Sequence, residues 1–363
     1  MFLDEIMIYP LKSGKGRSLA EAVIHPWGLD GDRRWAVVDE QGDNLWLGEF
    51  PRLASVDAYP TREGGLRLAA RGMERLTVPP ATGPTTPVGF TGLDRAVLAD
   101  DSAHVWFTEL LGRPARLVWL DDPRRRSIDP AHGGLPGEVV SFAWDAPLLL
   151  VSESSARVLD GWLAEEAAMR GEDTSVPDGD TSAGGRDTSG RGGDTSTGGR
   201  DTSAGGGDTS GRGQDMSVGG EGTSVRGRVF PESGEDTSGR GRDVSVRGEG
   251  PSMRGEGPSV RDAEVPVRLS RVRFRPNVIV EGAEAFAEDG WREVRIGMLP
   301  FRVSELCDRC AVTTIDPETQ VKGKEPMRTL ARRRKWDGKA WFGIRLVPLE
   351  PGRIQVGDPV SAR

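Results

Sequence analysis

Two cysteines three residues apart, Cys307 and Cys310 in "ELCDRCAVTTIDPETQ" (305–320), are the only thiols in a chain of 363 residues. A C-x-x-C frame can clamp a metal, form a redox pair or a disulfide, or present one special thiolate beside an ordinary neighbour. A tetrahedral zinc site would need two more ligands from His25, His104 and His132, all far upstream. An iron–sulfur cluster needs more cysteines than the chain has. A thioredoxin-like pair should open a helix, whereas "AVTTI" after Cys310 reads as a strand. On chemistry alone, two inert core thiols remain a full alternative.

Three stretches could bind an anion. In "RLSRVRFRPN" (268–277), strand alternation would put Arg271, Arg273 and Arg275 on one face and Val272 and Phe274 on the other. Adjacent guanidiniums repel unless an anion or carboxylates lie among them, and their planar forks suit phosphate or sulfate. A solvated edge strand with its arginines paired to Asp or Glu is the competing reading. "YPLKSGKG" (9–16) offers Lys12, Ser13, Lys15 and backbone N–H groups near two glycines, without P-loop spacing. "GLDGDRRW" (28–35) is a turn delivering Arg33 and Arg34 into the next strand. Each of the last two reads equally as an exposed loop.

The elements that must position these residues are mostly strands. "AEAVIHPWG", "RRWAVVDEQGDNLWLG" and "GLRLAARG" are short apolar runs cut by turns, with "DEQGDN" as a hairpin signal. "SAHVWFTELLG" (102–112) predicts a helix from Ser102 as N-cap to Gly112. "ARLVWL" predicts a buried strand, and "APLLLVSESSARVLDGWLAEEAAM" a strand followed by a helix capped around Ser152 to Ser155. Downstream, "RLSRVRFRPNVIVEG", "WREVRIGMLPFRVSEL" and "CAVTTID" read as strands. "EPMRTLARRRK" reads as a helix with Pro326 near its start, and "AWFGIRLVPLEPGRIQVGDPV" as a closing hairpin. The expected class is β-rich α+β, with barrel-like β domains and a few added helices.

Between the two halves lies a repeat. "DTS" or a variant recurs every seven residues from 173 to 257, with one degenerate slot at 229. Residues 171–261 hold 25 of the 50 glycines and only twelve hydrophobic residues. Such a heptad lacks the apolar positions of a coiled coil and reads as a disordered, solvated insert. Deleting residues 172–260 and closing with a short Gly/Ser linker is expected to preserve folding and ligand binding. Loop closure depends only weakly on length. A deletion variant that is insoluble would assign the repeat a structural role.

Residues 167–261 carry 12 basic and 16 acidic side chains, so half of the formal charge of −8 belongs to the insert. The remainder is only mildly acidic, which argues against nucleic-acid binding. No apolar run has membrane-spanning length, and the N-terminus lacks the order of a signal peptide. Two cysteines are too few for a secreted disulfide framework. The expectation is a monomeric cytoplasmic protein with reduced thiols.

With these residues in view, the chain resembles the MOSC family, the domains shared by molybdenum cofactor sulfurase C-termini and amidoxime-reducing components. "RFRPNVIV" followed about thirty residues later by "CDRCAVTTIDPETQ" carries the likeness. "IYPLKSGKG", "GLDGDRRWAVVDEQG", "PRLA", "DAPLLLVSESSARVLDGWL" and "GRIQVGDPV" extend it over nearly everything except the insert. The resemblance implies a MOSC N-terminal β-barrel-like domain over 1–119 and a MOSC domain in two parts, 120–166 and 262–363, around the insert at 167–261. It implies a molybdenum cofactor, a pterin dithiolene with a phosphate tail. Cys310 would be the metal ligand and catalytic centre, and Cys307 its ordinary neighbour. Lys12, Ser13, Arg33, Arg273, Arg275 and Asn277 would hold the cofactor.

The reaction implied is two-electron reduction of an N-oxygenated small molecule. The chain has no G-x-G-x-x-G fingerprint and too few cysteines for a cluster, so electrons would come from a separate carrier such as a ferredoxin. Arg328, Arg332 and Lys335, with Lys322 and Lys324 upstream, could form a basic docking patch for it, although a solvated helix is the plainer reading. Two other readings are a cofactor carrier or sulfur-transfer module, and a degenerate MOSC fold. Three features depart from the family pattern: Gly48 where an Arg is common, Gln320 in place of the Gly of "DPxTG", and the lack of an iron–sulfur domain.

Overall fold

The computed structural model describes residues 1–171 and 268–363. Most of the heptapeptide insert, with its expected disorder, lies outside the described residues. The fold is β-rich α+β. Its largest sheet has nine strands, eight of them in one line: Val360–Ala362, Glu293–Ile296, Leu299–Asp308, Lys339–Pro348, Leu148–Ser152, Val278–Glu281, Phe2–Ile8 and Arg17–Leu19. The short Lys335–Trp336 strand pairs to the side of Lys339–Pro348.

The first strand of the chain is therefore inside the sheet built by its last third. Phe2–Ile8 runs antiparallel to Val278–Glu281, with Leu3 opposite Val280 and Ile6 opposite Val278. The inward residues of this pair, Leu3, Ile6, Ile8, Val278 and Val280, pack with Leu148, Leu150, Ile344 and Leu346 in one core. Because the two strands are antiparallel, the loop leaving the first and the turn entering the second meet at the same sheet end. Those segments are "YPLKSGKG" and "RFRPN".

A four-stranded sheet (Trp35–Val38, Arg116–Trp119, Leu93–Leu98, Thr85–Phe90) and a three-stranded one (Asp57–Pro60, Leu66–Ala69, Leu76–Val78) make the N-terminal half-barrel. Helix α1 (Asp101–Leu111) buries Ala103, Trp106, Phe107 and Leu110 against it. Its N-cap is Asp100, whose side chain accepts from Ser102 N at 3.0 Å, so the expected cap moves two residues upstream. Helix α2 (Glu153–Arg170) begins after Ser152, as expected, and runs four residues into the segment read as insert before Gly171 ends it in the left-handed region. Helix α3 spans Met327–Arg333.

Two expected strands and one expected pairing are corrected. "RVRF" is a 3-10 turn (Arg271–Phe274), and Arg275 follows it at φ 56°. The three arginines therefore do not share a face. Arg271 turns to Glu153 and Asp160 of α2, at 2.9 and 2.8 Å, and these ion pairs outweigh strand pairing. "AVTT" (311–314) is also a 3-10 turn. There Thr313 Oγ1 donates to Cys310 O and Thr314 Oγ1 to Ala311 O, local bonds that compete with a ladder. Finally, the C-terminal segment is not a hairpin. Gly352–Gln355 pairs with Glu21–His25, and Val360–Ala362 with Glu293–Ile296.

Candidate functional site

The "YPLKSGKG" loop is locked to the "GLDGDRRW" turn by two backbone hydrogen bonds and one to a side chain. Asp32 Oδ1 accepts from Tyr9 N at 2.8 Å, Tyr9 O accepts from Arg33 N at 2.8 Å, and Trp35 O accepts from Lys12 N at 2.8 Å. Six non-glycine residues among those described have positive φ, and three are residues expected in the site: Ser13 (69°), Arg33 (47°) and Arg275 (56°). Left-handed backbone costs a side-chain-bearing residue on the order of 1 kcal/mol, and such strain gathers at functional sites. Its concentration here marks the loops as more than exposed turns.

Arg33 Nη1 donates to Asp32 Oδ2 (2.5 Å) and to Asn277 Oδ1 (3.0 Å), and Nη2 donates to Arg275 O (3.1 Å). Asn277 is buried, donates to Met7 O and accepts from Leu149 N, so it cross-links three strands and aims Arg33. Arg275 Nη1 donates to Gly14 O at 2.8 Å, while its buried Nη2 has no partner. The guanidiniums of Arg33 and Arg275 lie 4.6 and 4.2 Å from the Tyr9 ring centroid. Burial, with Arg33 nearby, lowers the Arg275 pKa to about 10. Ser13 Oγ is buried and accepts from Leu47 N at 3.1 Å, which leaves its hydroxyl proton free to donate.

Lys12 donates from Nζ to Phe142 O at 2.8 Å, and the amine sits 5.7 and 5.3 Å from the rings of Phe90 and Trp144. The residue is half-buried, with its amine between these two rings. Burial, and after it the charges of Arg126, Arg33 and Arg275, push it well below the usual lysine range. Arg273 differs from Lys12 and Arg275 in having a carboxylate partner. It pairs with Asp316 at 2.5 Å, leaves its buried Nε unpartnered, and lines a cleft with Gly14, Lys15, Arg275, Val312 and Glu318.

Cys310 is exposed and Cys307 is buried, and both are free thiols. Arg309 between them donates to Phe342 O (2.7 Å) and Phe274 O (3.2 Å), and its buried Nη2 has no partner.

Sequence reasoning missed Arg126, Arg309 and a polar cluster of His132, Asp145, Glu305 and Arg345. His132 Nδ1 lies 3.3 Å from Glu305 and 3.6 Å from Asp145. Those three could surround a metal ion, but the Arg345 guanidinium already pairs with Glu305, with Asp145 at 3.1 Å and with Asp308 at 2.8 Å. A fixed cation occupies the role a metal would take.

Residues 1–114 match the MOSC N-terminal beta barrel domain, and residues 258–361 match the MOSC domain. The chain belongs to the MOSC family. Rat mitochondrial amidoxime reducing component 2 is 24% identical over 99% of this chain and 82% of its own length. Human mitochondrial amidoxime-reducing component 1 is 40% identical over 102 residues, which is 26% of this chain and 30% of the relative. Rice molybdenum cofactor sulfurase is 24% identical over 95% of this chain, which spans 32% of the relative. The match to the human and rice proteins thus spans under a third of their length.

Two MOSC departures have local explanations. A Cβ at Gly48 would lie 2.4 Å from the Trp46 ring, so the indole fills the place of a side chain there. Gln320 takes φ 60°, a conformation a glycine adopts freely, and is held by its N–H on Asp316 O at 2.8 Å. Replacing Gln320 with Gly is expected to change stability by less than about 1 kcal/mol in urea unfolding, because relieved strain offsets greater freedom of the unfolded chain. No helix among the described residues is long and apolar enough to cross a membrane.

Proposed function

We propose that this MOSC protein binds a molybdenum cofactor through Cys310 and reduces N-oxygenated small molecules. One observation carries the reading. Lys12, Arg126, Arg275 and Arg309 have their charged ends against carbonyls and rings, and none has a carboxylate within ion-pair distance among the described residues. Charges withdrawn from water without counter-charges need an anion, and a phosphate-bearing pterin supplies one. The unpartnered nitrogens of Arg273, Arg275 and Arg309 are donors awaiting acceptors, and the exposed Cys310 thiol is a soft ligand for a thiophilic metal.

When bound, the cofactor would supply a two-electron site. Lys12, Arg273 and Arg275 would hold its anionic groups, with Ser13 donating a hydrogen bond and Asn277 keeping Arg33 aimed. The net change is N–OH + 2 e⁻ + 2 H⁺ → N–H + H₂O, with both electrons from a separate carrier protein. Elemental analysis of the purified protein should find one molybdenum per chain, and benzamidoxime should be reduced with an artificial donor. Folded protein from molybdenum-replete cells that lacks the metal would overturn the reading. Bound cofactor without turnover would favour a carrier or sulfur-transfer role, to which an exposed thiol is also suited.

The basic surface for the carrier is smaller than the sequence suggests. Arg332 pairs with Glu166 at 2.8 Å, Arg333 with Glu165 at 3.0 Å and Arg328 with Glu325 at 3.5 Å. Exposed Lys322, Lys324 and Lys335 remain for docking. Reversing Lys335 to Glu should raise the KM for an acidic carrier at low salt, with the effect fading as salt screens it. Unchanged carrier kinetics at low salt would remove this surface from consideration.

A further inference from the structure

The connector from Leu120 to Pro147 contains no strand and only two short 3-10 turns, yet its end is tightly held. Arg126, only 6% exposed, donates to the carbonyls of Thr91 (3.1 Å), Ser141, Ala143 (2.7 Å) and Trp144 (3.4 Å). One residue further on, Asp145 Oδ2 lies 3.1 Å from Arg345 Nη2. That same nitrogen lies 2.8 Å from Asp308 Oδ1, two residues before Cys310. A single guanidinium nitrogen thus ties the Trp144 segment to the Cys310 segment.

Trp144 is fixed on both flanks, yet the residue is 67% exposed. Its ring lies over the amine of Lys12, at 5.3 Å. An indole held rigidly in water gains nothing from the core, and long irregular segments inside compact domains are commonly functional. A rigid aromatic offers contact area at little entropic cost.

We propose that Trp144 is the substrate wall of the Cys310 site, and that its indole selects planar, delocalised N-oxygenated molecules by stacking. Arg126 is a positioning residue that acts through Trp144. This inference rests on the function proposed above. Offset stacking needs only an unobstructed ring face, which the exposed indole provides. Aliphatic substrates of the same charge gain no such contact.

The test pairs an aryl ligand with an aliphatic one of equal charge, using the full-length protein loaded with cofactor. Benzamidine, the deoxygenated product of benzamidoxime, should bind more tightly than acetamidine by calorimetry. Trp144→Ala should weaken benzamidine about tenfold relative to acetamidine, and Trp144→Phe should keep most of the preference. In turnover, the ratio of kcat/KM for benzamidoxime to that for acetamidoxime should fall about tenfold in Trp144→Ala, mainly through KM. Arg126→Gln should lower the same ratio without removing the indole. Equal binding of the two amidines by the wild type, or an unchanged preference in Trp144→Ala, would overturn the assignment. If the wild type reduces neither amidoxime, the redox reading fails, and the amidine binding still decides the role of Trp144.

Discussion

Cys310→Ser should lower molybdenum-dependent reduction to background, while Cys307→Ser should keep most of it. The two thiols stand in different surroundings. Cys310 is exposed at the start of a 3-10 turn, and Cys307 is buried in the strand Leu299–Asp308 with its thiol 3.6 Å from Asp308 O. Serine at 310 replaces a soft thiolate with a hard alcohol of far higher pKa, a poor ligand for a thiophilic metal. Serine at 307 removes little volume and can keep a hydrogen bond to Asp308 O, so it should cost no more than about 1 kcal/mol in stability. Rates with an artificial donor, normalised to folded protein, separate the two. Equal loss in both variants would instead indicate a paired-thiol mechanism.

The second large effect concerns the cations. Lys12→Met and Arg275→Met should each lose the cofactor on purification, and the cofactor-free variants should melt higher than cofactor-free wild type. In the empty protein these side chains hold charge away from water with like charges beside them, so neutral replacements remove a penalty. A gain on the order of 1 kcal/mol corresponds to about 2–4 °C in a protein of this size. The pH dependence follows from the direction of the shifts. Both folded pKa values are depressed, that of Arg275 to about 10 and that of Lys12 well below the usual range. The unfolded chain therefore binds more protons than the folded one between the folded and unfolded values. The penalty is complete below the folded value and fades as pH rises towards the unfolded one. Urea unfolding of cofactor-free wild type should thus show this contribution to stability recovering with rising alkalinity, and the Lys12→Met protein should show less recovery. A variant that melts lower at neutral pH and still retains cofactor would contradict the account.

Much of this was legible in the sequence because certain residues have few alternatives. Alternating apolar runs gave most strands, and Gly112 and Pro326 marked helix boundaries, since backbone constraints there are local. Two arginine-bearing stretches, one read as a strand and one as a turn, were legible as possible anion sites, but not that they meet. Arg33 and Asn277 are 244 positions apart, and only the antiparallel pairing of the first strand with Val278–Glu281 joins them. The alternation in "RVRFR" misled because it fits a strand as well as a turn, and the deciding factor was Glu153 and Asp160 on a helix more than a hundred residues upstream. Arg126 was invisible for the converse reason. Its partners are backbone carbonyls, which any sequence supplies.

The pairing of Phe2–Ile8 with Val278–Glu281, a strand from the last third, has a consequence during synthesis. A ribosome adding about 5–20 residues per second leaves roughly 12–50 s between the emergence of Arg33 and that of Asn277. Throughout that interval Phe2–Ile8 lacks its Val278–Glu281 partner, and an unpaired strand edge is open to other chains. Yield at high expression should therefore respond to translation speed and chaperone supply more than the stability of the finished protein suggests.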